Sequence, residues 1–198
     1  MKTLLLLPVA AVILAFPHPA VPSTVLAGEH DWAVDAQHSS VVFKVKHANA
    51  SWFQGTFDVV GGEVSLDPAK PEAGKVVLKI PVDSVDTNDK KRDDHLKNAD
   101  FFNSKENPDI TFASTKIAKK GDKLEVTGDL AMAGKSKSVT IEVEKTGEGE
   151  FYGKRQGFMT TFTIKRSDFG MTYGVDKNVL GDEVTLSIAL EVVQPAKK

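Results

Sequence analysis

Three histidines are the polar residues best placed to carry chemistry: His38, His47 and His95. Imidazole nitrogens are good zinc ligands, and three of them would suffice for a catalytic site with one open position. The spacing argues against that use. No pair has the i, i+4 separation of a His-Glu-x-x-His helix. His38 and His47 fall on what reads as one strand, which if straight would hold them roughly 30 Å apart; a bend near Gln37 to Ser40 would shorten this. A histidine that is hydrogen-bonded, structurally or to the polar part of a ligand, is the preferred reading. A metal-dependent or acid–base enzyme built on the three is the alternative.

Other constellations carry less. His38-Ser39-Ser40 places a histidine beside two serines, but adjacent strand residues point to opposite faces. No Gly-x-Ser-x-Gly elbow is present to expose a nucleophile. Asp93, Asp94 and Asp100 are interleaved with Lys90, Lys91, Arg92 and Lys97, which reads as a solvated face. There is no glycine-rich phosphate loop or dinucleotide fingerprint. Cysteine is absent, which excludes disulfides, thiolate metal sites and cysteine nucleophiles. No catalytic residue, metal set or cofactor is therefore assigned, and the chain is expected not to be an enzyme.

The elements that would position these residues read as strands. Val41, Phe43, Val45 and His47 share one face, with Val42, Lys44 and Lys46 on the other, and the same period of two recurs at Val76, Leu78, Ile80 and Val82. Ile110 and Phe112 follow, then Leu124, Val126 and Leu130, then Val139, Ile141 and Val143. Phe158, Thr160, Phe162, Ile164 and Arg166 form a longer run, and Val184 to Val192 a last one. Strict alternation puts one face on a core and one in water, the antiparallel pattern. Turn signals such as Gly61-Gly62, Asp67-Pro68, Lys120-Gly121-Asp122 and Ala133-Gly134-Lys135 separate the runs. About eight strands with short connections predict an all-β barrel or sandwich.

One segment breaks the rhythm. Residues 86–107 do not alternate, and Thr87 or Asn88 is the expected cap of a short helix from about Asp89 to Leu96. Leu96, Phe101 and Phe102 would give this insert an apolar side, as a plug in one barrel end or a lid over a mouth. An inward-facing Arg166 would be costly unpaired, so a carboxylate such as Asp168 or Asp35, or a ligand head group, is its expected partner.

The N-terminus sets the compartment. Lys2 precedes an apolar run from Leu4 to Phe16, and the small-residue site Val25-Leu26-Ala27 follows. This is the order of a secretory signal peptide cleaved after about Ala27, and about 13 apolar residues are too few to span a bilayer. Residues 1–27 are read as the signal and 28–198 as one domain. Acids and bases are interleaved, with a formal net charge of −2, so no basic stripe points to nucleic acid.

The motifs, taken in order, resemble the YceI-like family of periplasmic polyisoprenoid-binding proteins. They are Trp32-x-x-Asp35-x-x-His38-Ser39, Val42-Phe43-x-Val45-x-His47, Gly55-x-Phe57 and Asp94-His95-Leu96. Asp100-Phe101-Phe102, Pro108-x-Ile110-x-Phe112, Gly128-x-Leu130, Gly157-Phe158 and Ile164-x-Arg166-x-Asp168-Phe169-Gly170 complete the set. Trp52-Phe53, read as a loop before Gly55, is a local variation.

The resemblance implies an extended antiparallel lipocalin-like barrel with a short helical insert and a hollow lumen. Its ligand class would be an isoprenoid chain, polyprenyl or the tail of an isoprenoid quinone, held for sequestration or transport in the periplasm. The expected lumen lining is Phe43, Val45, Phe57, Leu78, Ile80, Phe112, Phe158, Phe162, Ile164, Leu186 and Ile188. His38, His47, Arg92, His95 and Arg166 are the residues expected near a polar head at the mouth. Transient membrane contact and a homodimer are open partnerships, and a barrel simply filled by its own side chains is the structural alternative.

Overall fold

Alternation alone makes a sheet with one apolar face, and such a sheet must bury that face or close upon it. In the computed structural model, which describes residues 30–67 and 69–194, it closes. The expected signal peptide and its cleavage after about Ala27 lie outside the described residues. The strands are β1 (Asp31–Val34), β2 (Ser40–His47), β3 (Ser51–Phe57), β4 (Gly61–Ser65), β5 (Lys75–Pro81) and β6 (Val85–Asp86). After helix α1 (Lys90–Leu96) come β7 (Asp109–Lys120), β8 (Lys123–Met132), β9 (Lys135–Glu150), β10 (Lys154–Lys165) and β11 (Leu180–Val193).

All pairings are antiparallel, and they make a ring of eight staves. Three staves are broken at a corner. β1 and β2 form one, since both pair with β11, through Val34↔Val192 and Val41↔Ile188. β3 and β4 form the next, and β5 and β6 the third, because β3 pairs with β2 and β6 while β4 pairs with β1 and β5.

Specific contacts and turns hold the first and third corners. At the first, the Asp35 carboxylate accepts from the Gln37 backbone N–H, and the Ser39 hydroxyl accepts from the N–H of Glu191. At the third, Pro81 leads into a single 3₁₀ turn, Val82–Ser84. Closure leaves no long exposed sheet edge around most of the ring.

The β8–β9 hairpin expected from the sequence forms across Ala133-Gly134, with φ of 49° and 75°. Both residues at positive φ match the right-handed twist of the flanking strands. Trp52 and Phe53, read as a loop, are instead within β3, opposite Lys46 and Val45. The helix cap is Asp89, whose carboxylate accepts from the N–H groups of Lys91 and Arg92. Thr87 turns inward instead, and its hydroxyl donates to Asp93 and accepts from Arg92 Nε.

Candidate functional site

The inward faces of the staves enclose a lumen of about 180 Å³. All eleven residues expected to line it do so: Phe43, Val45, Phe57, Leu78, Ile80, Phe112, Phe158, Phe162, Ile164, Leu186 and Ile188. Thr111, Thr160 and Arg166 are the polar residues among its walls, so the surface is almost wholly hydrocarbon. Apolar cavities of this order stay dry and take up hydrophobic molecules.

The tube is hollow rather than filled. Val41, Phe57, Leu78, Ile80 and Phe112 are buried, as core residues should be. Phe43, Phe162, Ile164, Leu186 and Ile188 also point inward, yet they remain only half-buried. In a packed interior their faces would be covered by partners.

Two glycines help keep the bore open. A Cβ at Gly55 would lie 2.4 Å from the Phe43 ring, and one at Gly128 would lie 2.5 Å from the Phe112 ring. Each ring lies against the wall where the opposing strand has no side chain.

One end is stopped by the helical insert. Leu96, Phe101 and Phe102 reach the lumen, and the Phe102 ring meets Phe57 edge-on at 5.7 Å. Phe101 is buried and stacks with Tyr173 at 5.4 Å and His95 at 5.1 Å. Arg166 lies beneath, its guanidinium 6.0 Å from the centre of the Phe101 ring.

Arg166 is 4 % exposed, and its neutralisation differs from expectation. No carboxylate of Asp168 or Asp35 receives it. Nε donates to the carbonyl of Gly181, Nη1 to that of Met171, and Nη2 to those of Tyr173 and Leu180, at 2.7–2.8 Å. Burial holds its pKa below the ordinary arginine value, opposed by the charge of Asp182.

The other four polar candidates do not border the lumen. His38 is exposed at the first corner and contacts Asp35 at 2.9 Å. His47 ends β2, opposite Leu180 and Ser51. Arg92 stacks its guanidinium 4.2 Å over Phe53. His95 bonds Asp100 at 2.9 Å. A strand's alternation places residues on a face, but whether the face has already passed the barrel rim is a matter of strand length and corners.

The three histidines are thus not assembled for zinc. Among the described residues, one trio has donor atoms within 4.8 Å of one another: Asp35, His38 and Glu191. Arg155 occupies it, with Nη1 donating to both carboxylates. That guanidinium, then His38, holds the Asp35 carboxyl far below its usual range. The trio is a charge-satisfied corner clamp. Arg155 lies 120 residues from Asp35, and no sequence signal marks it. Ile141, Val143, Leu180 and Leu190 also line the lumen, and the same alternation that marked their neighbours could have found them.

A closed antiparallel barrel of eight staves around a hollow hydrocarbon lumen defines a lipocalin-like binding barrel. The family model of the YceI-like domain matches residues 32–192. The chain therefore belongs to the YceI-like family. It is 40% identical over 171 residues to protein YceI of Salmonella newport strain SL254, covering 85% of this chain and 88% of that one. The crystal structure of Burkholderia cenocepacia BcnA is similar with a TM-score of 0.74 and 34% identity, covering 80% of this chain and 98% of that chain. A polyisoprenoid binding domain from Saccharophagus degradans, implicated in plant cell wall breakdown, shares the fold at TM-score 0.66 and 19% identity, over 83% and 98% of the two chains.

Proposed function

We propose that this chain is an exported, non-enzymatic carrier that holds one isoprenoid chain, polyprenyl or the tail of an isoprenoid quinone, in the barrel lumen. The observation that carries the reading is the half-buried hydrocarbon lining of an otherwise closed barrel. An isoprene unit has five carbons, so its burial gains roughly 3–4 kcal/mol gross at about 0.8 kcal/mol per CH₂. Immobilising a flexible chain costs several kcal/mol of that, so the net gain per unit is far smaller. A wall with almost no polar groups selects by length and width.

Arg166 is the charged residue among the three polar ones of the lining. Four of the five guanidinium N–H donors serve backbone carbonyls. The fifth, on Nη1, is a donor for a head-group oxygen. The leader sequence points to the periplasm, and the relative described as polyisoprenoid-binding supports the ligand class.

The test is native mass spectrometry of the mature protein, followed by organic extraction and lipid mass spectrometry. One co-purifying species per chain, built from five-carbon units, is the expected result. A bare protein that also refuses added quinone and polyprenol would overturn the reading.

A further inference from the structure

Main-chain ladders close most of the barrel wall, and the seam between β9 and β10 closes only in part. The β8–β9 ladder runs from Leu124↔Val143 to Met132↔Lys135, and β10–β11 from Arg155↔Val193 to Lys165↔Glu183. Between β9 and β10 the pairing runs from Lys154↔Glu150 to Met159↔Glu144 and ends there. Yet β9 begins at Lys135 and β10 continues to Lys165, so beyond Met159↔Glu144 both strands run on without a ladder between them. At the point of separation the Thr160 hydroxyl donates to the Glu142 carbonyl at 2.7 Å, a side chain standing where a ladder N–H would be.

This seam opens on the lumen. Ile141 and Val143 on one margin, and Phe162 and Ile164 on the other, line it and are half-buried. Consecutive residues on a closed strand face opposite sides. Met159 and Thr160 are consecutive, and both border the lumen, while Met159 is also 46 % exposed to solvent. Inside and outside therefore meet at this point of the wall. The insert's aromatic rings stop one end of the barrel, so end-on entry there would require a long chain to thread past packed side chains.

We infer that the β9–β10 seam is a lateral portal, through which an isoprenoid chain slides sideways from a lipid surface into the lumen. The inference rests on the proposed carrier function and adds the route. A slit admits every segment of the chain at once, and its short unpaired run can part and close without breaking a ladder.

The chain has no cysteine, so a pair introduced by mutation is unique. Glu142→Cys with Thr161→Cys places exposed thiols on the two margins, to be bridged by a short bifunctional methanethiosulfonate that reductant removes. The readout is uptake of a dansyl-tagged farnesyl chain from phosphatidylcholine vesicles. Bridging is expected to slow uptake about tenfold or more, with reduction restoring the rate, because it blocks a gating step. The control is Thr163→Cys with Thr185→Cys, whose native hydroxyls are 3.2 Å apart across the β10–β11 ladder; bridging it should leave the rate unchanged. An unchanged rate in the bridged seam variant, with the parent loading normally, would overturn the portal alone. A parent that takes up no probe would overturn the carrier reading and the portal with it.

Discussion

Arg166 shows what one residue's type tells and withholds. Its place at the end of the alternating run from Phe158 marks it as inward, and the cost of a buried charge demands partners. The partners are four main-chain carbonyls set by a 3₁₀ turn and the start of β11, a geometry that residue types do not encode. Arg166→Met keeps the apolar stem but leaves those carbonyls without donors. Buried acceptors left unpaired cost about 1–3 kcal/mol each, so chemical denaturation should show a loss of about 3 kcal/mol or more. Asp35 carries the residue-scale pH dependence. Its folded pKa is depressed by Arg155 and His38. The stabilisation is therefore present above the unfolded carboxylate value of roughly 4 and is lost as pH falls through the lower folded value. Melting temperatures measured across pH 2–7 on the parent and Asp35→Asn should differ most above about pH 4 and converge in acid.

Among the elements, the strand interiors were legible. Alternation marked ten of the eleven named lining residues, because a two-residue period maps directly onto a sheet face, and Phe57 came from the Gly55-x-Phe57 motif. Three things were not legible. The corners at 35–39, 58–60 and 82–84 convert six short strands into three staves, through contacts made between distant residues such as Ser39 and Glu191. The helix cap fell to Asp89, because Thr87 was recruited inward by Asp93 and Arg92. The end of the β9–β10 ladder has no compositional mark, since both strands continue their alternation past it. Hydrogen exchange by NMR checks that last feature. Alternate amides of residues 136–143 and 160–165, those directed into the seam, should exchange well before the amides of 124–131 and 183–190. Uniform protection along β9 and β10 would show that the seam is closed in solution.

For the whole molecule, the question periodicity cannot answer is whether a ring of apolar faces is filled or hollow; the answer lies in summed side-chain volumes against barrel width. The family resemblance implied a hollow tube, and the half-buried lining agrees. Leu186→Trp distinguishes the two physically. In a filled core, the added volume would cost roughly 1–3 kcal/mol. Here it should leave thermal stability within about 1 kcal/mol while abolishing uptake of a prenyl probe, because the ring enters open space. The two tryptophans have a further consequence. Trp32 is 6 % exposed, with no protein hydrogen-bond partner for its indole nitrogen among the described residues. Trp52 is 56 % exposed, with the ammonium groups of Lys44 and Lys46 4.8 and 5.0 Å from its ring centre. Their emissions therefore separate by colour, blue for the core and red for the rim. Iodide, drawn to the lysines, should quench the red component selectively, so the molecule carries two optical reporters of its own folding without any label.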